Sequence, residues 1–215
     1  MTHTAPLPIQ VIAGLGNPGA DYAQTRHNAG FWFVDALAAQ CGGVWQSDKN
    51  YAAHLCKISL AGQMVWLIKP QTFMNRSGQS VAPLMRFYRF APESLLVVHD
   101  ELDILPGEVR IKLGGGNGGH NGLKDIQAQL ASPSFWRLRL GIGHPRSLLL
   151  KQEVVNFVLQ RAPAAQQAAM DEAQSACLRE LPALARGDKT ALEGAVRTLH
   201  SLKGMVVAPP NSGAD

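Results

Sequence analysis

The stretch IQVIAGLGNPG, residues 9–19, constrains the fold more than any other part of the chain. Its first half is short, apolar and β-branched, which predicts a buried strand that ends at the glycines. Its second half places Gly14, Gly16 and Gly19 in the spacing G-x-G-x-x-G, which is typical of dinucleotide-binding proteins when a helix follows directly. The surrounding residues decide whether that interpretation holds.

The residues that follow do not support dinucleotide binding. An acidic ribose-binding residue should end a second strand about 20 positions further on, but Asp35 lies inside the helical pattern NAGFWFVDALAAQ. The polar segment ADYAQTRH stands where the crossover helix should begin, and Pro18 lacks an N–H for a phosphate. Neither a G-K-[ST] sequence after a glycine cluster nor a G-x-S-x-G sequence is present. We interpret the three glycines as a tight turn that requires positive φ.

Strand and helix patterns alternate along the rest of the chain. Strands are predicted in AAHLCKISL and QMVWLIKP, which form a hairpin, and in SLLVVHD, EVRIKL and FWRLRLGIG. Helices are predicted from Asn28, from Phe73 and in GLKDIQAQL, and an alanine-rich helical region begins near Ala164 with breaks at Pro182 and Gly187. The pattern predicts a single three-layer α/β/α domain with a mixed, mostly parallel sheet.

Length and composition limit the class of protein. The 215 residues are 46% hydrophobic, enough for one sizeable core, and the net charge of +4 suits an acidic partner such as RNA. Three cysteines without a C-x-x-C pair indicate neither a disulfide framework nor a zinc site, and no signal peptide or membrane span is evident, so we expect a cytoplasmic protein. We assign residues 1–8 to an N-terminal extension, 9–205 to a single folded domain and 206–215 to a disordered tail.

Polar residues stand at the junctions between predicted strands and helices. In open α/β sheets, ligands bind at the carboxyl ends of the strands, so residues at these junctions are candidates for a site. One follows the first strand, one precedes the first helix, one ends the strand SLLVVHD, and the others flank later helices. The set is Asn17, His27, Asn75, Asp100, His120 and Asn121.

These residue types suit hydrolysis. His27 can take a proton from water, since histidine titrates nearest neutrality, and Asp100 can bind the other ring nitrogen and stabilise the imidazolium. Side-chain amides can bind an oxyanion or a peptide backbone. A helix N-terminus lowers the pKa of His27 and Asp100 raises it, and the sequence leaves the balance open.

Simpler interpretations stay open for each residue taken alone. His27 and Asn75 can be helix caps or surface residues, and Asn121 can be a turn residue in an Asn-Gly pair. The acidic segment 99–103, HDELD, can be a solvated loop or a magnesium site. Only the joint occurrence of these residues favours a site.

Six motifs, in order and at sensible spacing, carry a family resemblance. They are GLGNPG, TRHNAG, KPQTFMNRSG, HDELDILPGEVRIKLGGG, GGHNGLKDI and FWRLRLGIGHP, and they span about two-thirds of the chain, from Ile9 to Leu159. Together they resemble bacterial peptidyl-tRNA hydrolase. The resemblance implies a monomeric α/β/α enzyme without metal, cofactor, membrane or obligate protein partner. Such an enzyme cleaves the ester between the peptide and the 3′ ribose of peptidyl-tRNA, which recycles tRNA from stalled or aborted translation.

The resemblance also implies residue roles. In TRHNAG, His27 is the base that activates water, and in HDELD, Asp100 is its orienting partner. Asn17 and Asn75 bind the peptidyl part beside Met74, Tyr22 lines the pocket, and Asn121 holds substrate or the attacking water. The residues implied to contact the substrate are Asn17, Tyr22, Met74, Asn75 and Asn121.

The resemblance implies tRNA phosphate contacts at Lys112 and Arg139. Arg137, two positions from Arg139 on the same strand, and Lys124 are expected to extend this basic patch, the alternative being an ordinary solvated face. Residues 147–151, SLLLK, are more apolar than is usual in the family. The resemblance implies that they belong to a lid, formed by residues 147–160, over the binding groove.

Two other functions compete with hydrolysis of peptidyl-tRNA. A non-catalytic RNA-binding relative has no need for a base and its orienting carboxylate, yet His27 and Asp100 are both present. A nucleotide-dependent oxidoreductase is disfavoured by the broken context of the glycine motif. Hydrolysis is therefore the leading interpretation.

Overall fold

The computed structural model of the chain describes residues 8–186. The predicted N-terminal extension up to residue 7, the helix expected in TALEGAVRTL and the tail of residues 206–215 lie outside the described residues. None of the described helices combines the length and the hydropathy that crossing a bilayer requires.

Seven strands make up one sheet: β1 (Val11–Gly14), β2 (Gln46–Asp48), β3 (Ala53–Leu60), β4 (Gln63–Pro70), β5 (Leu95–Glu101), β6 (Val109–Leu113) and β7 (Trp136–Gly141). Their order is β2-β3-β4-β1-β5-β7-β6. The four central strands are parallel to one another, and antiparallel pairs flank them on both sides. The predicted α/β class with a mixed sheet is confirmed, and so is the β3–β4 hairpin.

Helices cover both faces of the sheet: α1 (Ala29–Gln40), α2 (Ser77–Phe87), α3 (Asn121–Leu130), α4 (Val154–Val158) and α5 (Ala164–Ala185). One apolar core unites the sheet with α1, α4 and α5, and its members include Phe33 and Phe157. A second core on the opposite face joins the sheet to α2 and α3, and includes Leu84 and Ile126. The domain therefore has the three predicted layers.

Two elements were not predicted, and one predicted break is wrong. Strand β2 consists of the polar residues QSD and pairs with β3, and α4 has only five residues, so neither produces an apolar pattern of useful length. Helix α5 continues through Pro182 to Ala185. Proline removes one backbone donor near the end of this helix, while burial of Leu181 and Ala185 holds the last turn in place.

The glycines of the first motif allow close packing more than they form a turn. Only Gly19 has a positive φ, of 105°. A Cβ on Gly14 would lie 2.3 Å from the carbonyl oxygen of Gly30, and one on Gly16 would lie 2.7 Å from the ring of Phe31. The interpretation that all three need positive φ is thus wrong for Gly14 and Gly16, which let α1 approach the sheet.

We expect Gly30→Ala to lower the free energy of unfolding by about 2 kcal/mol, because the new methyl group would force α1 away from the sheet. A Cβ at Gly30 would stand 2.3 Å from the carbonyl oxygen of Val98 and 2.4 Å from the nitrogen of Leu15. Chemical denaturation measures the change. The matched control is Gly116→Ala, where a Cβ meets nothing within 4 Å. Equal stability of the two variants would contradict the need for this close approach.

Candidate active site

The carboxyl ends of the parallel strands β1, β4 and β5 meet at one edge of the sheet and carry most of the predicted site. Asn17 follows β1, and Asp100 is the second-last residue of β5. Met74 and Asn75 follow β4 in a short 3₁₀ turn before α2, and His27 lies in a similar turn before α1. The sequence prediction that these residues share an edge is met by the fold.

Asp100 contacts two histidines. Nδ1 of His27 lies 2.9 Å from Oδ1 and 3.0 Å from Oδ2 of Asp100, and Nε2 of His120 lies 3.1 Å from Oδ1. Burial raises the pKa of Asp100, but the charges and hydrogen bonds of the two histidines outweigh burial and hold that pKa well below its ordinary value. Asp100 is therefore an ionised acceptor for two ring N–H groups.

The helix that follows His120 fixes the tautomer of its ring. Nδ1 of His120 accepts the backbone N–H groups of Gly122, at 3.2 Å, and Leu123, at 3.4 Å, at the start of α3. Nε2 must therefore carry the proton that His120 donates to Asp100. Sequence reasoning placed His120 among the candidate residues without assigning it a role, although its place in front of a predicted helix could have suggested a cap.

His27 is arranged as a base. It donates its Nδ1–H to Asp100, so in the neutral ring Nε2 carries a lone pair, and this atom bonds to no residue within 8–186. Burial lowers the pKa of His27, whereas the charge of Asp100 and the hydrogen bond to it raise that pKa. The two raising effects together outweigh burial, so the pKa of His27 lies above its usual value. The balance that the sequence left open thus favours Asp100.

The three side chains also have the spacing of a metal site, because their donor atoms all lie within 4.8 Å of one another. A metal ligand must offer a lone pair, whereas both ring nitrogens that face Asp100 act as N–H donors. The magnesium alternative fails in a similar way, since Glu101 points to the other face of β5 and binds Arg139. In the arrangement observed, the nitrogens that a metal would need are thus used as N–H donors to Asp100.

Asn28, the residue after His27, holds Asn17, a candidate substrate-binding residue, in place. Its Oδ1 accepts the backbone N–H of Asn17 at 2.8 Å, and its Nδ2 donates to the backbone oxygen of Asn17 at 2.9 Å. The Oδ1 of Asn17 accepts the N–H of Met74 at 2.7 Å, which leaves the Nδ2 group of Asn17 to donate. Sequence reasoning assigned Asn28 only as the start of a helix.

His99 is a neutral support beneath the site. It is fully buried, and its Nδ1 lies 2.7 Å from the backbone oxygen of Asp100. Burial, with the nearby charge of His120 next in size, lowers the pKa of His99 to about 3. Its ring meets that of His120 edge to face, with centroids 4.9 Å apart. Packing against a ring that stays uncharged limits the movement of His120.

Comparison with known proteins bears on the same chain. The family model for peptidyl-tRNA hydrolase matches residues 11–203. A peptidyl-tRNA hydrolase of Bordetella avium is 53% identical over 199 residues, which cover 93% of this chain and 95% of the relative. The chain belongs to the peptidyl-tRNA hydrolase family. The resemblance drawn from the six motifs is confirmed, and with it the prediction that the chain is an enzyme.

Solved structures of the peptidyl-tRNA hydrolase family share the fold. A complex of peptidyl-tRNA hydrolase with N-propanol superposes with a TM-score of 0.82 at 44% identity, over 95% of this chain and 98% of that chain. The enzyme of Acinetobacter baumannii superposes with a TM-score of 0.79 at 44% identity and the same coverage. A second relative, from Bordetella petrii, is 54% identical over 91% of this chain and 92% of its own length.

The remaining substrate residues that the peptidyl-tRNA hydrolase resemblance implied lie at the rim of the site. Tyr22 packs edge to face against Phe73, with ring centroids 6.2 Å apart, and Phe73 is 58% exposed. Asn75 and Asn121 have exposed side chains, which donate to no residue within the described range 8–186. An aromatic wall and free amides therefore face solvent beside the buried His27–Asp100 pair.

Arg137 does not belong to the basic patch. It is fully buried on β7 and donates to the carbonyl oxygens of Gly115, at 2.6 Å, and Gly116. Gln127 donates to the same oxygen of Gly115 at 2.8 Å. The expectation that Arg137 extends the RNA surface is wrong, because the glycine loop folds over it; Arg137 instead fixes the loop that leads to His120.

Arg26 connects the turn that carries His27 to the segment that the family resemblance implied to be a lid. Its Nη1 donates to the backbone oxygens of Phe157, at 3.1 Å, and Gln160, at 3.2 Å, and its guanidinium lies 4.0 Å above the ring of Phe157. Nη2 reaches Oε1 of Gln166 on α5 at 3.4 Å. The residue before His27 therefore anchors α4, the helical part of the predicted lid.

Proposed function

We propose that the chain hydrolyses the ester between the peptide and the 3′ ribose of peptidyl-tRNA, with His27 as the base. The observation that carries the proposal is the pairing of Nδ1 of His27 with Asp100 at 2.9 Å, which leaves the lone pair of the neutral ring on Nε2. The names of the family relatives indicate the same substrate. We further propose that the protein works in the cytoplasm as a monomer and recycles tRNA.

In the proposed reaction, Nε2 of His27 takes a proton from a water whose oxygen bonds to the ester carbonyl carbon. Asp100 stabilises the imidazolium that results. The same attraction raises the pKa of His27 in the free enzyme. The Nδ2 group of Asn17 and the amide of Asn121 donate to the oxyanion. The intermediate collapses when its bond to the ribose oxygen breaks, and His27 returns the proton to that oxygen.

Neutral amides explain a preference for peptidyl over aminoacyl groups. The peptide next to the ester can bind Asn17 and Asn75 and pack against Met74 and the ring of Tyr22. A free α-amino group carries a charge, and the amide and apolar side chains proposed to bind the peptide cannot neutralise it, while both histidines already occupy Asp100. An unpaired ammonium in such a place is costly.

The tRNA part is proposed to lie across β6 and β7. Lys112 is half-buried on β6 and Arg139 is half-buried on β7, and both are available for phosphate contacts. Lys124 is exposed on α3 and can extend this surface toward the site. Binding through such contacts weakens steeply as salt rises.

We expect N-acetylaminoacyl-tRNA to be hydrolysed with a kcat/KM at least about a hundredfold above that of unblocked aminoacyl-tRNA, because only the blocked form satisfies the amides. EDTA should leave the rate unchanged. Release of the labelled amino acid measures both. Equal rates would contradict the proposed recognition, tRNA binding without hydrolysis would favour a non-catalytic relative, and a rate restored by zinc or magnesium after EDTA would revive a metal mechanism.

A further inference from the structure

Glu101 forms an ion pair with Arg139, the arginine that is proposed to bind a tRNA phosphate. Nε of Arg139 donates to Oε2 of Glu101 at 2.8 Å, and the two side chains are 18% and 15% exposed. The other carboxylate oxygen of Glu101 accepts the N–H of Asp103 at 3.2 Å, so the carboxylate is fixed on both sides. Among the described residues, only the Nε edge of Arg139 is bonded, which leaves both Nη groups for a ligand.

The surroundings of this pair are rich in cations. Lys112 and Arg137 are directly opposite each other on the paired strands β6 and β7, and Arg139 is two residues further along β7. Burial lowers the pKa of Lys112, followed by the charges of Arg139 and Arg137, while Glu101 raises it. Arg137 is bonded only to backbone carbonyl oxygens, so it keeps its full charge. Glu101 thus lies beside Arg139 and close to the charges of Lys112 and Arg137, whereas Arg110, opposite Arg139 on β6, has a carboxylate of its own in Glu108, at 3.7 Å.

We propose that Glu101 sets the affinity for tRNA, by holding the guanidinium of Arg139 with its Nη edge outward while its own charge repels the incoming phosphate. The inference rests on the proposed function, in which Arg139 contacts a tRNA phosphate. A carboxylate behind a phosphate-binding arginine weakens the binding of any RNA, whatever its sequence, because phosphate contacts carry no sequence information. This limits capture of unrelated RNA and speeds release of the deacylated tRNA product.

A simple structural ion pair makes the opposite prediction, which allows a sharp test. The amide oxygen of Glu101→Gln can still accept the Nε–H of Arg139, while its NH₂ group replaces the oxygen that accepts the N–H of Asp103. The contact that orients Arg139 is therefore kept, and the charge and the contact with Asp103 are lost. If Glu101 merely orients Arg139, Glu101→Gln binds tRNA as the wild type does. If its charge sets affinity, Glu101→Gln binds more tightly. Glu101→Ala removes both effects and serves for comparison.

We expect Glu101→Gln to lower the Kd for deacylated tRNA about fivefold, from the loss of one repulsive charge close to the phosphate. The plot of log Kd against log salt should steepen by about one unit. Fluorescence anisotropy with labelled tRNA measures both and needs no catalysis. The matched control is Glu93→Gln, a half-buried carboxylate in the turn before β5, at the opposite end of the strand from Glu101, which should leave Kd within about twofold.

A double variant completes the test. In an Arg139→Ala background, Glu101→Gln should change Kd far less, because the phosphate contact is already gone. An unchanged or higher Kd in Glu101→Gln, with weaker binding in Arg139→Ala, would overturn the role of Glu101 and leave the RNA surface intact. If Arg139→Ala and Lys112→Ala both bind tRNA normally, the proposed RNA surface itself is wrong. Thermal denaturation of each variant verifies that it is folded.

Discussion

Replacement of His27 by alanine is expected to lower kcat by about a hundredfold or more, while the Kd for tRNA stays within about twofold. The variant keeps the fold of the site edge but loses the atom that takes the proton from water. Single-turnover hydrolysis of N-acetylaminoacyl-tRNA measures kcat, and anisotropy measures tRNA binding. The rest of the oxyanion and peptide contacts remain, so some activity should persist above the uncatalysed rate.

His54→Ala is the matched control for the loss of a histidine. His54 lies on β3, which is separated from β5 by β4 and β1. Its replacement should leave both kcat and KM within about twofold of the wild type. Full activity in His27→Ala would remove His27 as the base and shift attention to His120, the other imidazole that contacts Asp100.

Asp100→Asn is expected to lower kcat/KM by between about a hundredfold and a thousandfold. Two ring N–H groups, from His27 and His120, converge on Oδ1 of Asp100. An amide carries one oxygen and no charge, so it can neither stabilise the imidazolium of His27 nor satisfy both rings if its NH₂ group turns toward them. Both the tautomer of His27 and the charge balance of the site are lost together.

The pH profile separates this effect from simple loss of structure. The base must be neutral, and Asp100 raises the pKa of His27, so wild-type kcat/KM should fall as the pH drops through a value above the ordinary one for histidine. In Asp100→Asn the attraction is gone and the acid limb should move to lower pH. Asp103→Asn, an exposed carboxylate three residues away, should retain the wild-type profile. An unmoved limb in Asp100→Asn would contradict the coupling.

The central elements of the fold could be predicted because their apolar residues are close in sequence. Strand β5 and helix α1 carry their burial pattern within a dozen residues. Helix α4 could not be predicted, since VVNFV reads equally as a strand, and its end is fixed by the guanidinium of Arg26. The polar strand β2 exists only because β3 offers it a partner.

The site could be predicted where a suitable residue type coincides with the end of a strand, as at Asp100, or with the start of a helix, as at His27. The contact of His120 with Asp100 was not, because it depends on how the glycine loop closes over β7. The same loop explains the error at Arg137: the period of two residues correctly places it on one face with Arg139, but that period says nothing about a loop that later covers the face. Sequence patterns predict faces, and tertiary contacts decide exposure.

The first glycine motif illustrates a related limit. Its spacing matched a nucleotide-binding fingerprint, and the surrounding residues argued against one. The reason for glycine at position 14 is the backbone of α1, which packs directly against it. The carbonyl oxygen of Gly30 fills the space that a side chain at Gly14 would need. Two glycines that let a helix pack closely on a strand leave no local signal, because neither Gly14 nor Gly30 has a positive φ.

Arg26 has a consequence for the order in which a growing chain becomes active. Its acceptors at Phe157 and Gln160 lie 131 and 134 residues downstream, which corresponds to roughly ten seconds of synthesis at the usual rate. Until those residues emerge, a guanidinium meant for burial has no carbonyl to bind, and the turn that carries His27 lacks its anchor. Under the proposed function, an unfinished copy is itself a peptide esterified to tRNA on the ribosome, and the turn of its proposed base gains this anchor only after most of its own sequence exists.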